Sequence, residues 1–246
     1  MNVRFRPASV VAMIALATAC AGVAFAADTA PVKGPAPGRA GLGGQIGSSY
    51  IFAGGDYADG AQPRLSFAGH FRYQLDSHWG WQFSPQFTWN GYVSHADAPF
   101  LAQNSVGGNL TKQRYITQIA GLGSQLQYFG GDAGRRWHVG FGPGIYRVVV
   151  QNDRKVVMDP VTTEHHKSAH LGLTAEFGVE RMLKRLPNTS LEATLAMQTV
   201  FAGDDTKYVS GWNGTPMLVE LRVGGHYYYD FRRPKPAAKG AKGLTK

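Results

Sequence analysis

The stretch Trp79–Val93, WGWQFSPQFTWNGYV, constrains the fold of this chain more than any other feature. Its odd positions hold Trp79, Trp81, Phe83, Pro85, Phe87, Trp89 and Val93. Its even positions hold Gly80, Gln82, Ser84, Gln86, Thr88, Asn90 and Tyr92. A helix turns every 3.6 residues or so and would scatter such a pattern around its circumference, whereas a strand sends alternate side chains to opposite faces. The stretch therefore describes one long strand with an apolar face and a polar face. The same period runs through 64–75, where Leu65, Phe67, Phe71, Tyr73 and Leu75 oppose Arg64, Ser66, His70, Arg72 and Gln74. In 217–231 one face carries Met217, Val219, Leu221, Val223, Tyr227, Tyr229 and Phe231. The other carries Glu220, Arg222, His226, Tyr228 and Asp230. Alternation recurs in 136–150 and 190–201. It weakens in 42–52 and 112–129, where Ser48, Gln118 and Ser124 fall on the apolar face.

These periods predict eight strands over 41–52, 63–75, 79–93, 112–129, 135–150, 165–182, 189–201 and 216–231. Their connections alternate in length: DSH (76–78), GGDAG (130–134) and KRLPNT (184–189) are short, whereas 53–62, 94–111, 151–164 and 202–215 are longer. Tight turns at one rim and long loops at the other describe an all-β, eight-stranded antiparallel up-and-down transmembrane barrel, with both termini on the turn side. Pro85 and Pro143 fall inside strands. Each lacks an amide hydrogen for the ladder and should mark a bulge or a local break.

Period two alone does not say which face looks outward, since a soluble barrel puts its apolar residues inside and a membrane barrel inverts that. Three features favour the membrane. Lysine is nearly absent from the polar face, with Lys112, Lys155, Lys167, Lys184 and Lys207 all in loops or near strand ends. That face is instead rich in Gly, Ser, Gln, His and charges of both signs, as a crowded polar lumen needs. The apolar face gathers aromatics toward strand ends, and Trp79, Trp81, Trp137, Tyr227, Tyr229 and Phe231 are the expected interfacial set.

The ends of the chain fit an exported protein. Arg4 and Arg6 precede an apolar run from Val10 to Ala24, and Ala24-Phe25-Ala26 supplies the small-x-small pattern of a signal-peptidase site. Residues 1–26 are thus expected to be a signal peptide, 27–40 a Pro/Gly/Ala-rich periplasmic lead-in, 41–231 the barrel, and 232–246 a disordered basic periplasmic tail. Cys20, the one cysteine, would leave with the signal peptide. The formal net charge of +9 is a terminal feature. Two of its positive charges are Arg4 and Arg6, and six more are Arg232, Arg233, Lys235, Lys239, Lys242 and Lys246, leaving +1 for everything between. A basic nucleic-acid stripe across the folded part is therefore not expected.

With these features the sequence resembles the eight-stranded outer-membrane barrels of Gram-negative bacteria, the opacity-type and small porin-like proteins. The most specific match is the last strand, VELRVGGHYYYDF, whose alternate hydrophobic residues end in Phe231. It is similar to the signal read by the barrel-insertion machinery, although that signal usually ends the chain and here fifteen residues follow. The resemblance implies outer-membrane localisation, contact with outer-membrane lipids and lipopolysaccharide, and engagement of that machinery by the last strand.

The inward face is then expected to hold a charge network in which Arg64, Arg72, Arg136 and Arg222 answer Glu176, Glu180, Glu192, Glu220 and Asp230. A lumen of eight strands is about narrow enough for side chains to fill it. A catalytic alternative lies in EHHKSAHLGLTAEFGVE (164–180), because lipid A 3-O-deacylases carry a His-x-Ser motif with a glutamate twelve residues after the serine. His166, Ser168 and Glu180 match that spacing, but Ala169 stands where the family has Asn, and no turn separates Ser168 from Glu180. Along one strand the two would sit roughly 40 Å apart. His165 and His166 point to opposite faces, and His166 and His170 would be about 13 Å apart, too far for one ion. The expectation is a non-enzymatic outer-membrane barrel without cofactor or metal, its outer loops serving surface interaction or membrane integrity. A narrow channel for small solutes is the second reading and a lipid A hydrolase the third. The basic tail is a candidate contact for anionic cell-wall polymer.

Overall fold

The structure, a computed structural model, describes residues 35–54, 58, 61–93, 114–132, 134–152, 154–158, 163–203 and 214–230. They contain ten strands: β1 (Arg39–Ala53), β2 (Ala61–Gln62), β3 (Arg64–Gln74), β4 (Trp79–Val93), β5 (Arg114–Gly131), β6 (Arg135–Asn152), β7 (Lys155–Val156), β8 (Lys167–Met182), β9 (Thr189–Val200) and β10 (Met217–Asp230). The eight long ones lie within a few residues of the sequence expectation, and β4 coincides with it. The two short ones fall inside expected loops: β2 pairs the loop end of β4, and β7 folds back on β6 through Arg154, which has a φ of 66°.

The long strands pair in the circuit β1–β3–β4–β5–β6–β8–β9–β10–β1, every pair antiparallel. The chain is an all-β, eight-stranded antiparallel closed barrel. Closure removes sheet edges, so the backbone N–H and C=O groups of the wall bond within the wall, as a structure surrounded by hydrocarbon requires. Arg39 opposite Asp230 brings the first and last strands together at the turn end.

Polarity is inverted relative to a soluble barrel. Leu42, Ile46, Leu122, Leu126, Phe141, Ile145, Leu171, Phe177, Leu191, Leu195 and Met197 are exposed on the outside, Leu171 to 66%. Arg72, Gln82, His138, Glu220 and Arg222 are buried inside. On β6 the outward residues Trp137, Val139, Phe141, Pro143 and Ile145 form an uninterrupted apolar stripe between the exposed Arg135 and Arg147. Trp137 to Ile145 spans about 26 Å along the strand, and the usual tilt leaves a height of about 20 Å. That is close to the ~25 Å apolar band of an outer-membrane barrel.

Both prolines break the ladder on one side only. Pro85 pairs Leu122 of β5, but the β3–β4 register passes from Ala68↔Gln86 to Phe71↔Phe83 with nothing between. Pro143 pairs Leu173 of β8, while the β5–β6 register passes from Gly123↔Gly144 to Leu126↔Phe141. The missing amide costs one ladder and the register survives, so these are breaks rather than bulges. The one register shift in the β1–β10 pairing lies between Ile51 and Ala53.

Two of the short turns are closed by aspartates. Asp76 Oδ1 accepts the N–H groups of His78 and Trp79, both at 2.7 Å, and Asp132 Oδ1 accepts those of Gly134 and Arg135, both at 2.8 Å. These backbone bonds hold both carboxyls below their ordinary pKa.

Candidate functional site

The strands that meet only through barrel closure bring distant charges together in the turn-end half of the lumen. Arg72, on β3, places NH1 2.9 Å and NH2 3.2 Å from the two carboxylate oxygens of Glu192 on β9. Its Nε and NH2 both donate to Gln82 Oε1. Arg136, on β6, donates to Glu180 on β8 at 2.8 Å, and Arg72 stands 3.6 Å from the same carboxylate. Glu180 also accepts from Ser190 Oγ and Tyr228 Oη. Phe129 projects inward between the two guanidiniums, whose central carbons lie 5.3 and 4.2 Å from its ring centroid.

Arg222, on β10, extends the network toward the middle of the barrel, 3.7 Å from Glu176 and 3.4 Å from Glu220. Glu176 accepts from Gln82 and Gln127, and Glu220 from Ser66 and Gln198. Three histidines complete the layer. His138 approaches Glu176 and Glu192 at 3.5 and 3.7 Å, His226 lies 3.2 Å from Glu192, and His70 faces His226 at 3.2 Å. Such a buried network depends on its pairing, although Arg136 Nε, Arg222 Nε, Gln127 Oε1 and both ring nitrogens of His138 lie buried without a hydrogen-bond partner.

The structure separates the expected network into members and bystanders. Arg72, Arg136, Arg222, Glu176, Glu180, Glu192 and Glu220 are buried and joined. Arg64 and Asp230 are not part of it. Arg64 begins β3 at the loop rim and is exposed, its side chain lying over Gly91. Asp230 ends β10 at the turn rim and is also exposed. Both have the right parity, but each is the terminal residue of its strand and is exposed at a rim of the barrel. The sequence reading also missed Arg39, which caps the turn end by donating to Asn188 and to the carbonyl of Tyr228.

The loop-end half of the lumen differs in kind. Ile51, Tyr115, Ile119, Tyr146, Val148, Val150, Val200 and Leu218 form one buried apolar cluster there. Ser49, Thr88, Asn90 and Thr117 are buried at this end as well, so the expected polar lumen is interrupted there by the cluster rather than replaced. The run Arg147-Val-Val-Val-Gln151 carried the signal, since it is apolar on both parities.

The aromatic set lies on the outside of the turn end. Trp79, Trp81, Trp137 and Tyr227 are exposed and Tyr229 is half-buried, whereas Phe231 lies outside the described residues. Tyr128 joins them, 5.1 Å from Trp79 and 5.9 Å from Trp137. Trp81 Nε1 donates to Ser124 Oγ at 2.9 Å, and Gln118 donates to Gln151 at 3.0 Å. Two of the polar residues on the apolar face are thus satisfied locally.

The His166–Ser168–Glu180 candidate is not assembled. Ser168 Oγ bonds His170 Nε2 near the loop end, while Glu180 belongs to the arginine network at the turn end.

The sequence matches no family model and no curated protein. Among solved structures the fold is similar to that of the outer membrane protein OprG from Pseudomonas aeruginosa, with 12% identity over 81% of this chain and 100% of that chain and a TM-score of 0.49. Neisserial surface protein A is similar at 12% identity over 78% and 98%, with a TM-score of 0.46. The attachment invasion locus protein Ail of Yersinia pestis, solved with the heparin analogue sucrose octasulfate, is similar at 10% identity over 78% and 99%, with a TM-score of 0.43. These are likenesses of fold alone. The chain's own closed ladder and inverted polarity make it an eight-stranded barrel of the outer-membrane type.

Proposed function

We propose that this protein is a non-enzymatic integral outer-membrane barrel with a side-chain-filled lumen, which serves the membrane and the cell surface through its outer loops. The observation that carries the reading is the pairing of an exposed apolar belt with a closed interior. The belt asks for hydrocarbon around it. The interior is filled twice over, by the charge network at the turn end and by the apolar cluster at the loop end. A conduit for small solutes needs a wetted path through both layers, and the six aliphatic side chains of the loop-end cluster interrupt such a path. Lipid and lipopolysaccharide are then the partners of the outer wall, where Arg147 and Lys167 stand exposed just beyond Ile145 and Leu171.

Residues 1–26 direct export in this reading. The last strand, with Phe231, engages the insertion machinery. The basic residues from Arg232 to Lys246 extend into the periplasm as a contact for anionic cell-wall polymer.

Two measurements test it. The protein fractionates with outer membranes, and it migrates faster in unheated SDS than after boiling. Recovery in the soluble periplasmic fraction refutes it. In planar bilayers the folded barrel shows no steady single-channel conductance; a stable conductance returns the channel reading to first place.

A further inference from the structure

We propose that His70, His226 and Glu192 form a buried site for one transition-metal dication of the zinc class, set in the turn-end half of the lumen. The three come from β3, β10 and β9, and one ligand atom from each can be chosen so that all lie within 4.8 Å of one another. His70 Nδ1 and His226 Nε2 face each other at 3.2 Å. Two imidazole nitrogens bound to one tetrahedral zinc at about 2.0–2.1 Å are separated by about 3.4 Å, so the pair is spaced as ligands are. Two ring nitrogens this close are joined either by the N–H of one neutral imidazole, donated to the lone pair of the other, or by a metal bound to both.

Three further observations favour the metal. First, Glu192 Oε2 lies 3.2 Å from His226 Nδ1, so the carboxylate stands beside the imidazole pair, and His70 Nε2 and Gln45 Oε1 are buried without a partner. Second, four buried carboxylates, Glu176, Glu180, Glu192 and Glu220, are met by three guanidiniums, Arg72, Arg136 and Arg222, so the network has one carboxylate more than it has guanidiniums. Third, the wall is shaped around the pair. Gly43 of β1 stands opposite both histidines in its two ladders, and a Cβ there would lie 2.3 Å from His226 Cδ2. Its missing side chain lets the two rings meet.

The donor set, two imidazoles and a carboxylate with a position left for water, suits zinc rather than magnesium or calcium. Glu192 is oriented from outside the site by Gln45 Nε2 and Thr194 Oγ1, each at 2.9 Å, as metal carboxylates are. Arg72 opposes a dication at this carboxylate, and Glu180, 3.6 Å from Arg72, offsets that. Because the ligands are buried, the ion enters as the barrel closes.

The experiment refolds the full chain from urea into detergent micelles with zinc chloride, strips loosely held ion with EDTA, and measures retained zinc. About one zinc per folded barrel is expected, with X-ray absorption showing two imidazoles, oxygen donors and no sulfur. His70→Gln and His226→Gln each lower retained zinc at least tenfold while keeping the heat-dependent gel shift. His78→Ala combined with His165→Ala leaves it unchanged. A folded wild-type barrel that retains no zinc above background overturns the proposal, and so does retention undiminished in folded His70→Gln and His226→Gln. If both variants fail to fold, the wild-type spectrum decides, and fewer than two imidazoles refutes the site. The gel shift without zinc reports the barrel independently, so loss of the metal site would leave the membrane reading intact.

Discussion

The two halves of this lumen solve the same packing problem with opposite chemistry. At the turn end Arg72, Arg136 and Arg222 lie among four glutamates, and each group depends on partners donated by other strands. At the loop end Val148, Val150, Ile119 and Leu218 simply fill space. The first arrangement is directional and brittle, because removal of one member leaves another charged and buried. The second is non-directional, so truncation leaves a void that its neighbours partly relax into. An ionic interior therefore fixes which strand faces which, and an apolar one seals the tube.

Perturbations of the two halves should differ in size and in how they combine. The largest effect is expected from Arg72→Ala, which leaves Glu192 without a guanidinium and should cost about 3–5 kcal/mol in denaturant unfolding from micelles. Pairing it with Glu192→Leu should recover part of that loss, since no carboxylate is then left opposite the missing guanidinium. A loss equal to the sum of the two single variants would break the comparison. Leu218→Ala opens a cavity at the loop end and should cost about 2–4 kcal/mol, with no rescue from a second truncation. Trp81→Phe removes the indole donor to Ser124 on the lipid face and should cost about 1 kcal/mol, a bond's worth outside both halves. The smallest effect concerns the turns. The folded pKa of Asp76 is lowered, so its contribution is present above the unfolded carboxylate value of about 3.9 and is lost as pH falls through the folded one. Asp76→Asn should flatten the acid limb of the stability profile by lowering the neutral plateau slightly while leaving the acid end unmoved.

Much of this architecture could be read from alternation alone. Strand β4 was legible from end to end because its fifteen residues never miss a beat in polarity, apart from Pro85 and Gly91. The inward set containing Arg72, Glu176, Glu192 and Arg222 was legible for the same reason. Alternation assigns a face but neither a height nor a neighbour. Arg64 and Asp230 have the right parity and the wrong height. Nothing in the sequence couples Arg72 to Glu192, which lies 120 positions away and meets it only across the closed tube. The apolar plug was hidden because Val148 and Val150 were read against a polar-lumen template, although Val149 between them makes both faces of the run apolar. The facing pair of His70 and His226 depends on Gly43, a residue whose contribution is an absent side chain.

The chain contains five tryptophans, and four of them, Trp79, Trp81, Trp89 and Trp137, lie on the outer wall of the described barrel. The protein thus carries its own depth gauge. Trp79, Trp81 and Trp137 mark the turn-end rim, and Trp89, held edge-on between Phe67 and Phe87, marks the other side of the belt. Acyl chains brominated at successive depths should dim these two groups at different positions, so its native emission reports how far the wall has sunk into a bilayer and which rim arrives first.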